Sequence, residues 1–248
     1  MADAEAGRLL IATTRRGSAP MPFPSVSVIL VVRNGETYIA DALRSISGSS
    51  IKPMEILVVD GGSTDATRDI AAGFEKVRVI PQTGRGIANA YNEGVAAARG
   101  ELVAFISHDD TWEPGKLDRQ VTYMHEHPDV MISFTHVQHV LDAGATPPPG
   151  FRRELLDAPV PGYIMETLVA RPEAFAIVGP FDPSFAVAED TDWFARARDK
   201  GISSALLPET LTVKRVHGTN ASLNAPQING LLLKALRGSI ARKRAGEA

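Results

Sequence analysis

The sequence predicts an α/β protein built on a mostly parallel sheet with helices on both faces. Three observations carry that expectation. Short β-branched apolar runs alternate with segments of helical apolar spacing. The runs are continuously apolar, as in strands buried on both sides. Glycine and proline (Gly48, Pro53, Gly73, Pro81, Gly100) stand at the boundaries, where they end helices or set turns.

The elements follow in order from Ser25. Val26–Val32 reads as a first strand, and Tyr38–Ser47 as a helix with Ile39, Ala42, Leu43 and Ile46 on one face. Ile56–Val59 reads as a strand, Ala66–Phe74 as a helix, Val77–Ile80 as a strand, Ile87–Arg99 as an Ala-rich helix and Leu102–Ile106 as a strand. After Asp110 the rhythm becomes irregular. A helix is expected from Pro114, a strand around Val130–Val140, a break at Thr146–Gly150, a strand near Tyr163–Val169, and helices from Pro172 and over Glu189–Lys200. A strand-like run Leu211–Val216 leads to His217. An amphipathic segment follows at Gln227–Arg242, apolar at Ile228, Leu231, Leu232, Ala235 and Leu236 and basic elsewhere.

Composition removes several classes. The 248 residues hold no cysteine, which excludes disulfide scaffolds and Cys-ligated metal sites. With 26 basic and 29 acidic residues the net charge of −3 gives no general drive onto nucleic acid. No apolar run approaches the roughly 20 residues of a membrane span. Leu9–Ala12 is too short for a signal-peptide core, so residues 1–24 read as a flexible leader and the protein as cytoplasmic.

In open α/β sheets ligands bind beyond the carboxyl ends of the strands. Those ends are polar here: Arg33-Asn34-Gly35-Glu36, Asp60-Gly61-Gly62-Ser63-Thr64-Asp65, Gln82-Thr83-Gly84-Arg85-Gly86 and Ser107-His108-Asp109-Asp110. Asp60, before two glycines, suits a ligand imide or ribose hydroxyl; the same string also suits a turn with Ser63 or Thr64 capping a helix. Adjacent carboxylates at Asp109 and Asp110 would repel unless compensated, and a divalent ion is one compensation; two side chains pointing into water is the other reading. Glu189-Asp190-Thr191-Asp192 opens a helix where the macrodipole favours acids, and a carboxylate held there could also act as general base. His217 stands alone in sequence, and Asn220-Ala221-Ser222 fits a glycosylation pattern. Gly84-Arg85-Gly86 lacks the third glycine of a dinucleotide fingerprint. Walker, Gly-x-Ser-x-Gly and His-Glu-x-x-His motifs are absent.

Taken together, Val26–Asn34, Ile56–Asp65, Gly86–Gly94 and Ser107–Asp110 resemble the family-2 glycosyltransferases, over roughly Ser25 to Ser222. The resemblance implies a GT-A nucleotide-diphospho-sugar transferase fold in residues 25–222. Within it, 25–110 is the nucleotide-binding half and 111–222 the acceptor half, with a C-terminal helix and tail over 223–248. It implies a metal-dependent, inverting transfer of a single sugar from a nucleotide-diphosphate donor, UDP above all, to an unidentified acceptor. Asp60 matches the aspartate that contacts the base, and Val32, Arg33, Asn34, Glu36, Arg85, Asn89, Ser107 and His108 fall where the nucleotide is bordered. Asp109 matches the metal-binding carboxylate of the Asp-x-Asp motif, for Mn²⁺ or Mg²⁺, and His217 the histidine that completes the metal shell in some relatives. Asp190 matches the catalytic base, with Glu189, Asp192 and Trp193 shaping the acceptor and sugar pocket. Ser107 departs from the pattern by replacing the first motif aspartate. That departure motivates an alternative, a non-catalytic nucleotide-sugar-binding protein of the same fold. A nucleotidyltransferase would need a Gly-rich basic loop at the first strand, for which Arg33–Glu36 is a poor candidate. The final basic helix suits core packing or a homodimer contact more than a membrane surface, being short of bulky aromatics.

Overall fold

A computed structural model describes residues 23–142, 144–149, 151–218, 220 and 225–246, the side chains of 225–229 and 246 excepted. Within them no helix is long and apolar enough to cross a membrane; residues 1–22, most of the expected leader, lie outside the described part.

Among the described residues nine strands form one sheet. Its regular half contains β1 (Val26–Val32), β2 (Glu55–Asp60), β3 (Val77–Pro81) and β4 (Leu102–Ser107), in spatial order β3-β2-β1-β4 and all parallel. The connecting helices are α1 (Ile39–Ile46), α2 (Thr67–Ala72) and α3 (Ile87–Ala97). Every residue of β1 and β2 is buried, which explains their unbroken apolar runs. Two apolar clusters sandwich the sheet. Ile29, Leu57, Phe105 and Tyr91 belong to one; Val28, Leu30, Val58, Leu43 and Ile46 belong to the other. Alternate residues of each strand therefore feed opposite faces. Because all four strands run the same way, their carboxyl ends meet along one edge. This is the register that gathers the polar strand ends.

The second half departs from the expected pattern. β5 (Thr111–Trp112) precedes α4 (Lys116–Glu126) and the long β6 (Ile132–Leu141). The strand expected near Tyr163–Val169 is instead two short strands, β7 (Val160–Pro161) and β8 (Val169–Ala170), around a 3₁₀ turn at Met165–Thr167. The Thr167 hydroxyl explains the break, because it donates to the carbonyls of Gly162 and Ile164 and folds the chain back on itself. After α5 (Pro172–Val178) and α6 (Glu189–Asp199), β9 (Ser204–Val216) runs further than its apolar stretch indicated and pairs parallel with β6. β4 is joined to this half through antiparallel β8. The end of β9 is thereby brought to the end of β4.

The last helix, α7 (Ala225–Gly246), packs against α6. Its buried side is small and polar: Ala235 is in the interior, Ser239 donates to Asp199, and Arg242 pairs with Asp199 at 2.9 Å. Leu232, Leu233, Leu236 and Ile240 face outward.

Candidate active site

A cleft of about 1300 Å³ opens along the carboxyl ends of β1–β4 and is closed on the far side by the start of α6 and the end of β9. Its wall at the ends of β1–β3 carries Val32, Arg33, Asn34, Gly61, Gln82 and Arg85. Ser107, His108, Asp109, Glu166, Lys214 and His217 also line it, and Glu189 and Asp190 border it opposite.

Hydrogen bonds between neighbouring strand ends shape the first wall. The Asn34 N–H donates to Ser63 Oγ (2.8 Å), the Thr64 N–H donates to Asn34 Oδ1 (2.9 Å), and the Ala66 N–H donates to Glu36 (3.0 Å). Ser63 and Thr64 thus bind the β1 loop to the β2 loop, and neither caps α2, which begins without a side-chain cap bond. Asn34 holds a positive φ of 53°, which asparagine tolerates better than most residues. Gly35 is required by contact: a Cβ there would lie 2.5 Å from the His108 ring.

Several expected site residues face elsewhere. Asp60 is buried, and both its carboxylate oxygens accept the Ser63 N–H (3.1 and 3.2 Å); the adjacent Gly61 borders the cleft instead. Glu36 is exposed and serves the Ala66 N–H, while Asn89 donates to the Arg85 carbonyl (2.7 Å) and steadies that loop. Trp193 is wholly buried, stacked against Phe181 and donating to the Gly179 carbonyl. Asp192 pairs with Arg196 at 2.8 Å. Asp192 and Trp193 hold α6 to the core and do not line the cleft. The first residues of α6, Glu189 to Thr191, border the opening at the helix's end, and Asp192 and Trp193 lie one step further along it against the core.

Asp109 and His217 meet although 108 residues separate them. His217 Nε2 lies 3.0 Å from Asp109 Oδ2, Asn220 Nδ2 donates to the same oxygen (3.1 Å), and the Tyr38 ring stacks on the imidazole. Burial would raise the Asp109 carboxyl, but His108 and Lys214 outweigh it and hold it below the ordinary range. Two ligands about 2.1 Å from a divalent ion and at right angles to it stand about 3 Å apart. The separation found here fits a cis pair. Among the described residues no three His, Asp or Glu side chains gather closely enough to hold an ion alone, so a metal on this pair would need ligands from the substrate or water.

Beside this pair lies a set of groups that strand-end reasoning missed. Lys214 Nζ bonds Asp110 Oδ2 (2.9 Å) and Glu166 Oε1 (3.2 Å), and Ser107 Oγ donates to the same Glu166 oxygen (2.6 Å). Asp110 is fully buried. Burial pushes its carboxyl up to about 7, against the opposing pull of Lys214. Asn220, which the sequence offered only as a glycosylation pattern, is bonded to Asp109. Its position three residues after His217 is the one local signal that could have identified it. Glu166 had none.

At the other wall, Ala188 precedes the acidic pair in a left-handed conformation (φ 63°), a strained state for alanine of the kind found at functional sites. Asp190 Oδ1 accepts from the Thr191 N–H (2.6 Å) and hydroxyl (3.2 Å). Burial, then the charge of Glu166, pushes Asp190 up to about 6; burial, then Asp190, pushes Glu189 up to about 8.

Residues 27–172, more than half of the chain, match the family described as "Glycosyl transferase family 2". The chain belongs to that family. An uncharacterized glycosyltransferase of Rickettsia typhi is 30% identical over 220 residues, covering 81% of this chain and 68% of the relative. The uncharacterized protein Rv1520 of Mycobacterium tuberculosis is 31% identical over 211 residues, covering 77% of this chain; the chain spans 59% of that relative's length. Among solved structures, S. aureus TarS 1-349 in complex with UDP-GlcNAc aligns over 88% of this chain and 66% of its own, with a TM-score of 0.69 at 20% identity. That likeness shows the fold, GT-A. The family match ends at residue 172, before the Glu189-Asp190 turn and His217.

Proposed function

We propose that the chain transfers a sugar from a nucleotide-diphosphate donor, UDP the leading nucleotide, to a nucleophile on an acceptor, with inversion at the anomeric carbon. The observation that carries this reading is the convergence in one cleft of the Asp109–His217 pair and, across from it, Asp190. TarS, with this fold, was crystallised with UDP-GlcNAc, which supports a UDP-sugar as the donor.

In this reading the nucleotide lies along Val32, Arg33, Asn34, Gly61 and Arg85, its diphosphate toward Asp109 and His217. Those two residues would hold a divalent ion, Mn²⁺ or Mg²⁺, whose charge stabilises the departing diphosphate. Asp190, ionised near neutral pH, takes the acceptor's proton while Thr191 fixes its other oxygen. The acceptor oxygen bonds the anomeric carbon as the bond to the diphosphate oxygen breaks, so the nucleophile enters opposite the leaving group. Glu189 retains its proton at neutral pH, which spares Asp190 a second adjacent negative charge.

The non-catalytic alternative, motivated by Ser107, is separated by donor hydrolysis. Incubated with UDP-sugars and Mn²⁺, a transferase releases UDP slowly without an acceptor. A binding protein returns the donor intact, and that result would overturn the reading.

A further inference from the structure

The position that lacks a carboxylate in the strand-four motif has acquired one from elsewhere. Ser107 is bonded at 2.6 Å to Glu166, a residue 59 positions later in the 3₁₀ turn between β7 and β8. The turn is bolted in place. The Glu166 carbonyl accepts from Trp112 Nε1 (3.0 Å) and Thr212 Oγ1 (3.3 Å), the Thr167 carbonyl accepts from Gln120 (3.0 Å), and the Thr167 hydroxyl bonds Gly162 and Ile164.

Glu166 is only 6% exposed yet borders the cleft. A carboxylate so far from water is costly unless paired. Here Ser107 and Lys214 both approach Oε1, and Lys214 is itself anchored by Asp110. Burial would raise the Glu166 carboxyl, but Lys214 and the Ser107 hydroxyl hold it below the ordinary range, so it is anionic at neutral pH. Both partners of this ion pair line the ligand cleft. Glu166 lines the same cleft as the motif on β4 and the acidic pair on α6, and its charge helps to raise both Glu189 and Asp190. In the donor reading above, the sugar undergoing displacement toward Asp190 lies in this cleft, which Glu166 borders.

We propose that Glu166 is a sugar-binding residue that stands in for the carboxylate absent at Ser107, with Oε2 accepting a hydrogen bond from a hydroxyl of the donor's sugar. Ser107 and Lys214 act as positioning residues that fix the carboxylate and keep it charged. The proposal rests on the donor reading above and adds the group that recognises the sugar rather than the nucleotide.

The test is calorimetric titration with UDP and with UDP-glucose, UDP-galactose and UDP-N-acetylglucosamine in Mn²⁺, for the parent protein and Glu166→Gln. The variant should bind UDP within twofold of the parent and lose about tenfold in affinity for the preferred UDP-sugar, the effect of one charge-assisted hydrogen bond. Unchanged UDP-sugar affinity in the variant, or an equal loss for UDP and UDP-sugar, would overturn the proposal. So would a parent that binds UDP but prefers none of the three sugars to UDP alone. A parent that binds no UDP at all removes the donor reading first, and is distinguishable for that reason. Should Glu166→Gln fail to fold, the exchange S107D/E166S moves the carboxylate back to β4. It should bind the sugar nucleotide better than E166S alone; equal affinity of the two would contradict the account.

Discussion

The two halves of the molecule hold polar groups at the end of a sheet by different means. Around β1–β3 the strand ends, the buried Asp60 apart, are neutral or reach solvent and are tied together by short bonds between neighbouring loops, as between Asn34 and Ser63. Around β4, β9 and the 165–167 turn, charged groups are taken out of water and neutralised by one another. A comparison of two lysines sharpens the point. Lys214 is ringed by Asp110 and Glu166, which together with Asp109 raise it well above its ordinary value despite burial. Lys116, at the start of α4, is wholly buried with no hydrogen-bond partner for its Nζ, lies over the Trp112 ring at 4.1 Å, and is pushed down to about 7 by burial. One buried amine has been given counter-charges beside a cleft, and the other has none. Buried charge with partners marks the working region here; buried charge without them is a local cost of packing.

The largest expected effect is on the working side. Asp190→Asn should lower turnover about 10³-fold, the scale of a general base, with UDP affinity intact; retained turnover in a steady-state assay would remove Asp190 from that role. In the parent, rate should fall as pH drops below about 6, because the base must be ionised, and a pH profile of kcat/KM checks this directly.

Next in size is Lys214→Met, which leaves Asp110 and Glu166 buried without their cation. Breaking such a set costs about 3–5 kcal/mol, read as a lower denaturation midpoint. The deficit should shrink on acidification, since protonating the stranded carboxyls removes the uncompensated charge. A deficit independent of pH would mean that packing, not charge, is what the lysine supplies.

Lys116→Met should act in the opposite direction and raise stability near pH 7. The sign follows from linkage. The folded amine titrates near 7 and the unfolded one near 10.5, so between those values the unfolded chain binds more protons and the parent gains stability as pH rises, by at most about 1.4 kcal/mol per unit. The variant should lack that slope, and equilibrium unfolding from pH 7 to 9.5 would reveal it. Smallest is Ala188→Gly, which relieves a left-handed alanine and should stabilise by about 1 kcal/mol or less.

The regular half was legible because parallel strands buried on both faces require continuous apolar runs, and their common direction forces Arg33, Asn34, Arg85 and Asp109 to one edge. Alternation of element types and the polar strand ends were enough. Asp60, Glu36 and Asn89 bond the loops around them, a use of a strand-end polar residue that the sequence cannot tell from a ligand contact. The sequence also treated the four residues from Glu189 to Asp192, with Trp193, as one motif, although the cleft ends at Thr191 and the next two side chains pack into the core. The Glu166–Lys214 set was invisible for a simpler reason. Its members lie 48 residues apart in a 3₁₀ turn and a mixed strand, and two-residue pairings such as β8 leave no periodicity to read.

The central claim, that the Asp109–His217 pair forms the metal-assisted seat of a nucleotide diphosphate, is tested most directly by titrating UDP into the protein with and without Mn²⁺, in the parent and in Asp109→Ala. The account predicts affinity that Mn²⁺ strengthens in the parent and leaves unchanged in the variant. Equal Mn²⁺ enhancement in both proteins, or no effect of Mn²⁺ on the parent, would contradict it.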